Sequence, residues 1–396
     1  MTYLDHAATT PMRPEAVEAF TAALTGAGNA SSLHAGGRRA RRLVEESRES
    51  LAEVLGARPS DVIFTGGGTE SDNLAVKGLF WSRRAADPQR RRVLVSAIEH
   101  PAVLDTASWL ARQQGAVLEK IPVDGTGLVH PEALRAAVQA DPSSVALISV
   151  MWANSEVGTI QPVAELASIA HHYGIPFHTD AVQAFGQVET SFAASAADAL
   201  TISAHKIGGP VGVGALLLRR GLELEPHLHG GGQERDVRSG TLNTPGVAAF
   251  AAAARVATAE LPAERLRLTD LRDDLVRRVL AEVPGAVLNG APSGAGRLPG
   301  NAHLTFPGCE GDSLLMLLDA HGVECSTGSA CSAGIARPSH VLLAMGVEEA
   351  HARGSLRFSL GHGSVAADVD ALVAVIGQVV ERAGRAGELA GLTSRI

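Results

Sequence analysis

Three short stretches carry residue types that could do chemistry together. The first is TGGGTESDN at 65–73. Glycines feeding a helix start, here Gly66 to Gly68, expose backbone N–H groups and the positive end of the helix dipole, a natural cradle for a phosphate. An ordinary tight turn would use the same glycines, and the dinucleotide-binding fingerprint fails because Ser71 stands at its third glycine. The second stretch ends IPFHTD and brings Asp180, with Gln183 following; such a carboxylate could equally cap a helix. The third is SAHKIGG at 203–209, with Ser203, His205 and Lys206 beside glycines. Lysine at such a place is unusual for structure alone, being rarely buried unless paired or functional. A phosphate cradle, an acid and a lysine on separate strand ends form the set that pyridoxal 5'-phosphate needs. Backbone donors suit its phosphate, a carboxylate its ring nitrogen, and a lysine amine forms a Schiff base with its aldehyde.

A fourth stretch, ECSTGSACSAG at 324–334, holds Cys325 and Cys331; the one other cysteine is Cys309. Three cysteines in a chain read as cytoplasmic argue against a disulfide framework. A metal site on this spacing would need further ligands, and only His321 and His340 are near in sequence, so no metal is expected. A catalytic thiol and two small buried side chains both remain open from the residues alone.

The elements that must position these residues are legible over the first 255 residues. Strand candidates begin DVIF at 61, RVLV at 92, VALISVMW at 145, IPFHTD at 175, DALTIS at 198 and VGALLL at 213. Helices alternate with them, one from about Arg38 to Leu55 and one from after Pro162 to Gly174. That alternation predicts an α/β fold, a mostly parallel sheet covered by helices. Ligands in such folds sit beyond the carboxyl ends of the strands, where Asp180 and Lys206 fall. Later the pattern changes to a long charged helix in AERLRLTDLRDDLVRRVLAEV, then AHLTF, GDSLLMLLDAHG, SHVLLAMG, SLRFSL and a helix from about Val365. We expect a large domain over 14–255 and a smaller α+β domain from 1–13 and 256–396, the latter carrying the loop at about 325–337.

Composition narrows the function classes. The chain has 396 residues, 45% hydrophobic and 19% charged, as in a globular protein. No apolar run approaches the ~20 residues of a membrane span, and MTYLDHAATT lacks the pattern of a secretory signal, so a cytoplasmic protein is expected. A formal charge of −8 argues against a dedicated nucleic-acid binder. The basic run between Arg83 and Arg92 reads as a solvated helix end and loop, or else as an anion-binding patch.

The motifs LDHAATTP at 4–11, TGGGTESDNLAVKG, HTDAVQAFG, SAHKIGGPVGVGALLLRR, HGGGQERDVRSGT and STGSACSAG together resemble the cysteine desulfurases, in their IscS/NifS branch. These belong with the fold-type I, class-V aminotransferase-like enzymes that use pyridoxal phosphate. The resemblance spans essentially the whole chain. It implies conversion of L-cysteine to L-alanine, with the sulfur becoming a persulfide on an enzyme cysteine. It implies that Lys206 holds the cofactor covalently, Asp180 pairs with the ring nitrogen and Gln183 contacts the ring oxygen. His100, in IEHPAVL, would stack on the ring and assist proton transfer, although it could also be a helix-start histidine. Gly68, Thr69, Ser203 and His205 would bind the phosphate. Thr241 would reach the phosphate of a neighbouring subunit, which implies a homodimer. Arg357 would grip the substrate carboxylate, a task suited to a bidentate guanidinium. Cys331 would be the nucleophile, on a loop of small residues that constrain the backbone weakly. Cys325 and Cys309 read as small structural residues. The acceptor implied is a sulfur-receiving protein such as an iron–sulfur scaffold.

Two positions depart from the family pattern. WANSEVG places Ser155 after Asn154, where a second asparagine is usual. Asn154 is expected to meet cofactor or substrate, and Ser155, being shorter, to lose a hydrogen bond to the ring oxygen or substrate or make it through water. Asp236 stands where glycine is common, with no chemical consequence expected. A selenocysteine lyase or aminotransferase-like enzyme on the same cofactor is the second reading; cysteine, selenocysteine and keto-acid turnover separate these. A non-catalytic carrier, inactive through Ser155, is the third.

Overall fold

The computed structural model describes residues 1–26, 28–328 and 338–393. The chain opens with β1 (Thr2–Tyr3), α1 (Pro14–Leu24), α2 (Ala35–Val54), β2 (Val62–Thr65), α3 (Gly68–Ala86) and β3 (Arg92–Ser96). It continues through α4 (Pro101–Gln114), β4 (Val117–Ile121), α5 (Pro131–Gln139), β5 (Val145–Ser149), α6 (Val163–His172) and β6 (Phe177–Asp180). After these come α7 (Phe192–Ser195), β7 (Ala199–Ser203), β8 (Gly214–Leu218) and the long α8 (Thr244–Glu282). The last part holds β9 (Val287–Leu288), β10 (Asn301–Thr305), α9 (Gly311–Ala320), β11 (Val323–Glu324), α10 (His340–Ala344), α11 (Glu349–Arg353), β12 (Ser355–Ser359) and α12 (Ala366–Thr393).

Seven strands form the main sheet in the order β2-β8-β7-β6-β5-β3-β4, parallel except where β8 pairs with its two neighbours. The run Gly214–Leu218 shows why both faces are covered. Leu217 packs with Val62 and Phe64 against α2, α6 and the start of α8, while Leu216 and Leu218 pack with Ile63 against α3 and α4. Successive side chains on a strand point to opposite faces, so a near-continuous apolar strand must be buried twice. A second core joins Leu4, the far half of α8 from Leu268, α9, α12 and the three-stranded sheet β12-β10-β9. Helix α8 runs unbroken past position 255, with Val247–Ala257 in the first core and Leu268–Val283 in the second.

All six strand candidates correspond to strands, although β5 ends at Ser149, before the expected Trp152. Strand β4 carries Lys120 and Glu119 among its apolar residues, too polar a run to stand out in sequence. The charged helix begins earlier than its sequence pattern, at Thr244, because an alanine-rich stretch has no polar face to mark it. The basic run ties elements together. Arg83 donates to Gly174 O, Arg90 to Val145 O, and Arg92 pairs with Glu119 at 2.5 Å while donating to the Ala137 and Asp141 carbonyls. No helix among the described residues is long and apolar enough to cross a membrane.

Candidate active site

A cavity of about 770 Å³ opens at the carboxyl ends of the parallel strands. The position follows from topology: β3, β5, β6 and β7 end side by side there, and each strand's next residues turn into the space above the sheet. Gly68, Thr69, His100, Ser155, Asp180, Gln183, Ser203, His205, Lys206 and Arg357 all line it.

The cradle is built by the turn from β2 into α3. Gly67 takes φ 145°, and no side chain caps the helix, so the first-turn N–H groups at Gly68 and Thr69 are left for another acceptor. A Cβ on Gly68 would come within 2.9 Å of Val182 Cγ2, so the backbone lies close against the loop after β6. Across the cradle, Ser203 Oγ is buried with no hydrogen-bond partner. His205 Nδ1 lies 3.2 Å from Thr9 Oγ1, and burial, helped by Lys206, lowers its pKa to about 4. These are neutral donors and an uncapped helix start, which fit an anion.

Asp180 ends β6, and its Oδ1 accepts the Val182 N–H at 2.9 Å, the cap-like role open from sequence. Burial raises its pKa, opposed by the nearby His100, Val182 N–H and Lys206. Lys206 has its Nζ donating to the carbonyls of Ala7 at 2.6 Å and Ala8 at 2.8 Å. Burial and the Arg357 charge lower its pKa to about 8, against Asp180 and Asp5. Gln183 gives one amide hydrogen to Ala7 O at 2.8 Å.

His100 is both a helix-start residue and a member of the cavity wall. It caps α4, with its Nδ1 accepting the Ala102 N–H at 3.1 Å, so the neutral ring carries its proton on Nε2. Its ring opens into the cavity; desolvation by the surrounding wall, with Lys206 and His340 adding, lowers its pKa.

Arg357 comes from β12, in the small sheet. Its Nη2 donates to Asp5 at 2.7 Å and its Nη1 to the Ser155 carbonyl at 3.0 Å. Ser326 pairs with it through the backbone in both directions.

Two expected residues lie elsewhere. Asn154 is fully buried and does not line the cavity. Its Nδ2 donates to Ile98 O, and its Oδ1 accepts the Glu156 and Val157 N–H groups. It clamps its own loop, so its side chain faces the fold and not the cavity expected from sequence. Thr241 is exposed on the loop before α8 and away from this chain's cavity. That loop is held down by Glu234, which accepts from Arg48 Nη1 and Nη2 at 2.7–2.8 Å and from the Phe64 N–H, and by Arg238 on Glu70. Cys331 lies outside the described residues. Cys325 is buried behind Ser326, and burial pushes its thiol up to about 12, which makes it inert.

Several wall residues carried no role in the sequence reading. Glu99 is fully buried, with Oε1 accepting Ser96 Oγ–H at 2.5 Å and Met151 N–H at 2.7 Å, and Oε2 left without a partner. Burial raises its pKa to about 8 despite those two bonds, with Asp180 adding to the rise. Asp72 and Glu156 are also buried carboxyls with raised pKa values. A glutamate directly before His100 and just after an apolar strand was the available signal for Glu99. Nothing in a sequence marks the backbone carbonyls of Ala7 and Ala8.

A profile of the aminotransferase class-V family matches residues 2–372. The chain is 58% identical over 395 residues to an IscS-like cysteine desulfurase of Mycobacterium tuberculosis, covering 100% of both chains. It is 43% identical over 381 residues to a cysteine desulfurase IscS of Methanosarcina thermophila, covering 96% of this chain and 92% of the other. Among solved structures, a NifS-like protein superposes with a TM-score of 0.88 at 34% identity, over 96% of this chain and 100% of that one. SspA in complex with cysteine superposes with a TM-score of 0.79 at 33% identity, over 92% of this chain and 100% of that one.

Proposed function

Because the chain belongs to the class-V aminotransferase family, as a cysteine desulfurase of the IscS and NifS kind, we propose that this cavity holds pyridoxal 5'-phosphate and turns L-cysteine into L-alanine, with Cys331 receiving the sulfur. The observation that carries the reading is the convergence of Lys206, Asp180, His100 and Arg357 on one cavity.

The residues fit the cofactor. The uncapped start of α3 and the unpartnered Ser203 Oγ suit a phosphate, and Asp180 offers a carboxylate to a ring nitrogen. Lys206 has no carboxylate partner within salt-bridge distance among the described residues, so its amine is available to a carbonyl carbon. Gln183 keeps its amide oxygen and one amide hydrogen for the ring substituent. The bound cofactor supplies an electron sink for the charge left when a proton leaves the substrate Cα.

Arg357 would grip the substrate carboxylate and turn the Cα proton towards Lys206. With a pKa near 8, Lys206 Nζ has a neutral fraction able to take that proton near neutral pH. His100 holds a proton at Nε2 on the cavity side of α4 and can return one to the product or take one from an incoming thiol. In the sulfur-transfer step the Cys331 thiolate forms an S–S bond as the substrate C–S bond breaks. The former thiol carbon gains a proton, yielding alanine and a Cys331 persulfide with no outside oxidant. Ser155 lines the cavity and lends its carbonyl to Arg357, so this position serves substrate grip through its backbone whatever its side chain.

The same reading makes the enzyme a cytoplasmic homodimer that passes its persulfide sulfur to an acceptor protein such as an iron–sulfur scaffold. The exposure of Thr241, which does not line its own chain's cavity, supports its reaching a neighbour's phosphate site. Purified protein given L-cysteine and a reductant is expected to release alanine and sulfide in equal amounts. Cys331→Ala is expected to keep the cysteine-induced change in visible absorbance while releasing almost no alanine. Full-rate alanine release by that variant would sink the assignment.

A further inference from the structure

The N-terminal segment touches both functional ends of the site. Residues 2–6 thread between β11 and β12: Leu4 N donates to Glu324 O at 2.8 Å, Ser359 N to Leu4 O at 2.7 Å and His6 N to Ser359 O at 3.3 Å. Tyr3 Oη donates to the Asp5 carbonyl at 3.1 Å, and Ala7 N to Ser359 Oγ at 2.9 Å. Asp5 is therefore fixed by its backbone before its side chain makes any contact. That side chain accepts Arg357 Nη2–H at 2.7 Å. Two residues on, the Ala7 and Ala8 carbonyls hold Lys206 Nζ.

Arg357 has little else to orient it. It is 5% exposed, its Nε has no partner, and its other fixed contact is the Ser155 carbonyl. Opposite it in the sheet stands His303, whose pKa burial lowers to about 3, so that ring brings no charge. Asp5 is the only carboxylate within salt-bridge distance of Arg357 among the described residues. A guanidinium has five N–H donors, so Asp5 and Ser155 leave donors for a further carboxylate.

Resting on the reading of Arg357 as the carboxylate grip, we propose that Asp5 is a positioning residue that orients the Arg357 guanidinium and so sets its distance from Lys206. An α-amino acid has its amino and carboxylate groups one carbon apart. The amino group would go to the cofactor that Lys206 anchors and the carboxylate to Arg357, so those two anchors must keep a fixed spacing, and one segment touching both supplies it. The contact does not compete with substrate; it decides which donors face the cavity.

The test uses the cofactor-loaded enzyme with L-cysteine and with cysteamine, which has the amine and thiol but no carboxylate. Binding of each is read from the change in visible absorbance, and turnover of cysteine from alanine release. Asp5→Ala is expected to raise KM for L-cysteine about tenfold, the size of one lost charge-assisted contact. Its kcat should stay close to wild type and its cysteamine binding should not move. Asp5→Asn, still an acceptor but a neutral one, should fall between and guards against a variant that fails to fold. A lower KM in Asp5→Ala, or equal weakening of cysteine and cysteamine, would overturn the proposal. Arg357→Ala separates the two readings. If it keeps the preference for cysteine over cysteamine, the role of Arg357 falls and this proposal with it. If it loses that preference while Asp5→Ala does not, the Asp5 proposal alone falls.

Discussion

The two walls of the cavity are built in different ways. On one, Glu99, His100, Asp180, Ser203 and Lys206 end or closely follow three strands of a single sheet. On the other, Arg357 of β12 meets Asp5 of the N-terminus, the Ser155 carbonyl after β5 and the backbone of Ser326. The first wall needs only that the parallel strands align, and apolar burial on both sheet faces enforces that. The second needs segments from both ends of the chain to meet, and the apolar core around Leu4, Leu356 and Phe358, hydrogen bonds and one ion pair hold them. On the proposed reading, chemistry sits on the wall built by one sheet and substrate grip on the wall assembled from distant pieces.

The sharpest way to break that division is to remove one group from each wall. Lys206→Ala is expected to lower kcat for alanine release by about a thousandfold or more, since proton transfer and cofactor attachment go together. Arg357→Ala should act chiefly on KM, lowering kcat/KM by about a hundredfold. Comparable kcat losses in both would erase the distinction between the walls.

A second test uses pH and the buried Glu99. Its folded pKa of about 8 lies above its ordinary value of 4.5, so the folded state binds more protons than the unfolded state between those values. Stability from this group is complete below about pH 4.5 and declines as pH rises to about 8. Glu99→Gln keeps an acceptor for Ser96 and Met151 but cannot ionise. It should therefore flatten the fall in thermal stability between pH 5 and 8, by on the order of a few kcal/mol. Identical slopes in the two proteins would show that Glu99 ionises freely and that the strand-end wall is less dry than its burial indicates.

The smallest effect concerns the loop that carries Thr241, away from both walls. Asp236 holds φ 59°, a left-handed conformation that glycine adopts without a Cβ clash. Asp236→Gly should stabilise the protein by about 0.5–1 kcal/mol in chemical denaturation, without altering turnover. A destabilised variant would mean that its side chain anchors the loop more than the backbone strains it.

Much of the strand-end wall was legible beforehand. Strands announce themselves by short apolar runs, and a lysine or aspartate directly after one has few structural reasons to be there. The motif around Asp5 was visible too, but not its contact with Arg357, because that depends on the N-terminus pairing beside β11 and β12. The orientation of Asn154 was hidden for a related reason: an asparagine in a loop can face a cavity or clamp its own backbone, and only packing shows which.

By itself, the order of residues determined the alternation of strands and helices, the cradle after β2, and the placing of Asp180 and Lys206 at strand ends. These follow from local periodicity and turn chemistry, which act over a few residues. Tertiary structure alone decided that Arg357 is held by Asp5 and Ser155, that Ala7 and Ala8 receive Lys206, and that Glu99 sits dry at the cavity wall. Each depends on segments remote in the chain closing on one another. Burial and charge proximity then set the pKa values that local sequence leaves open.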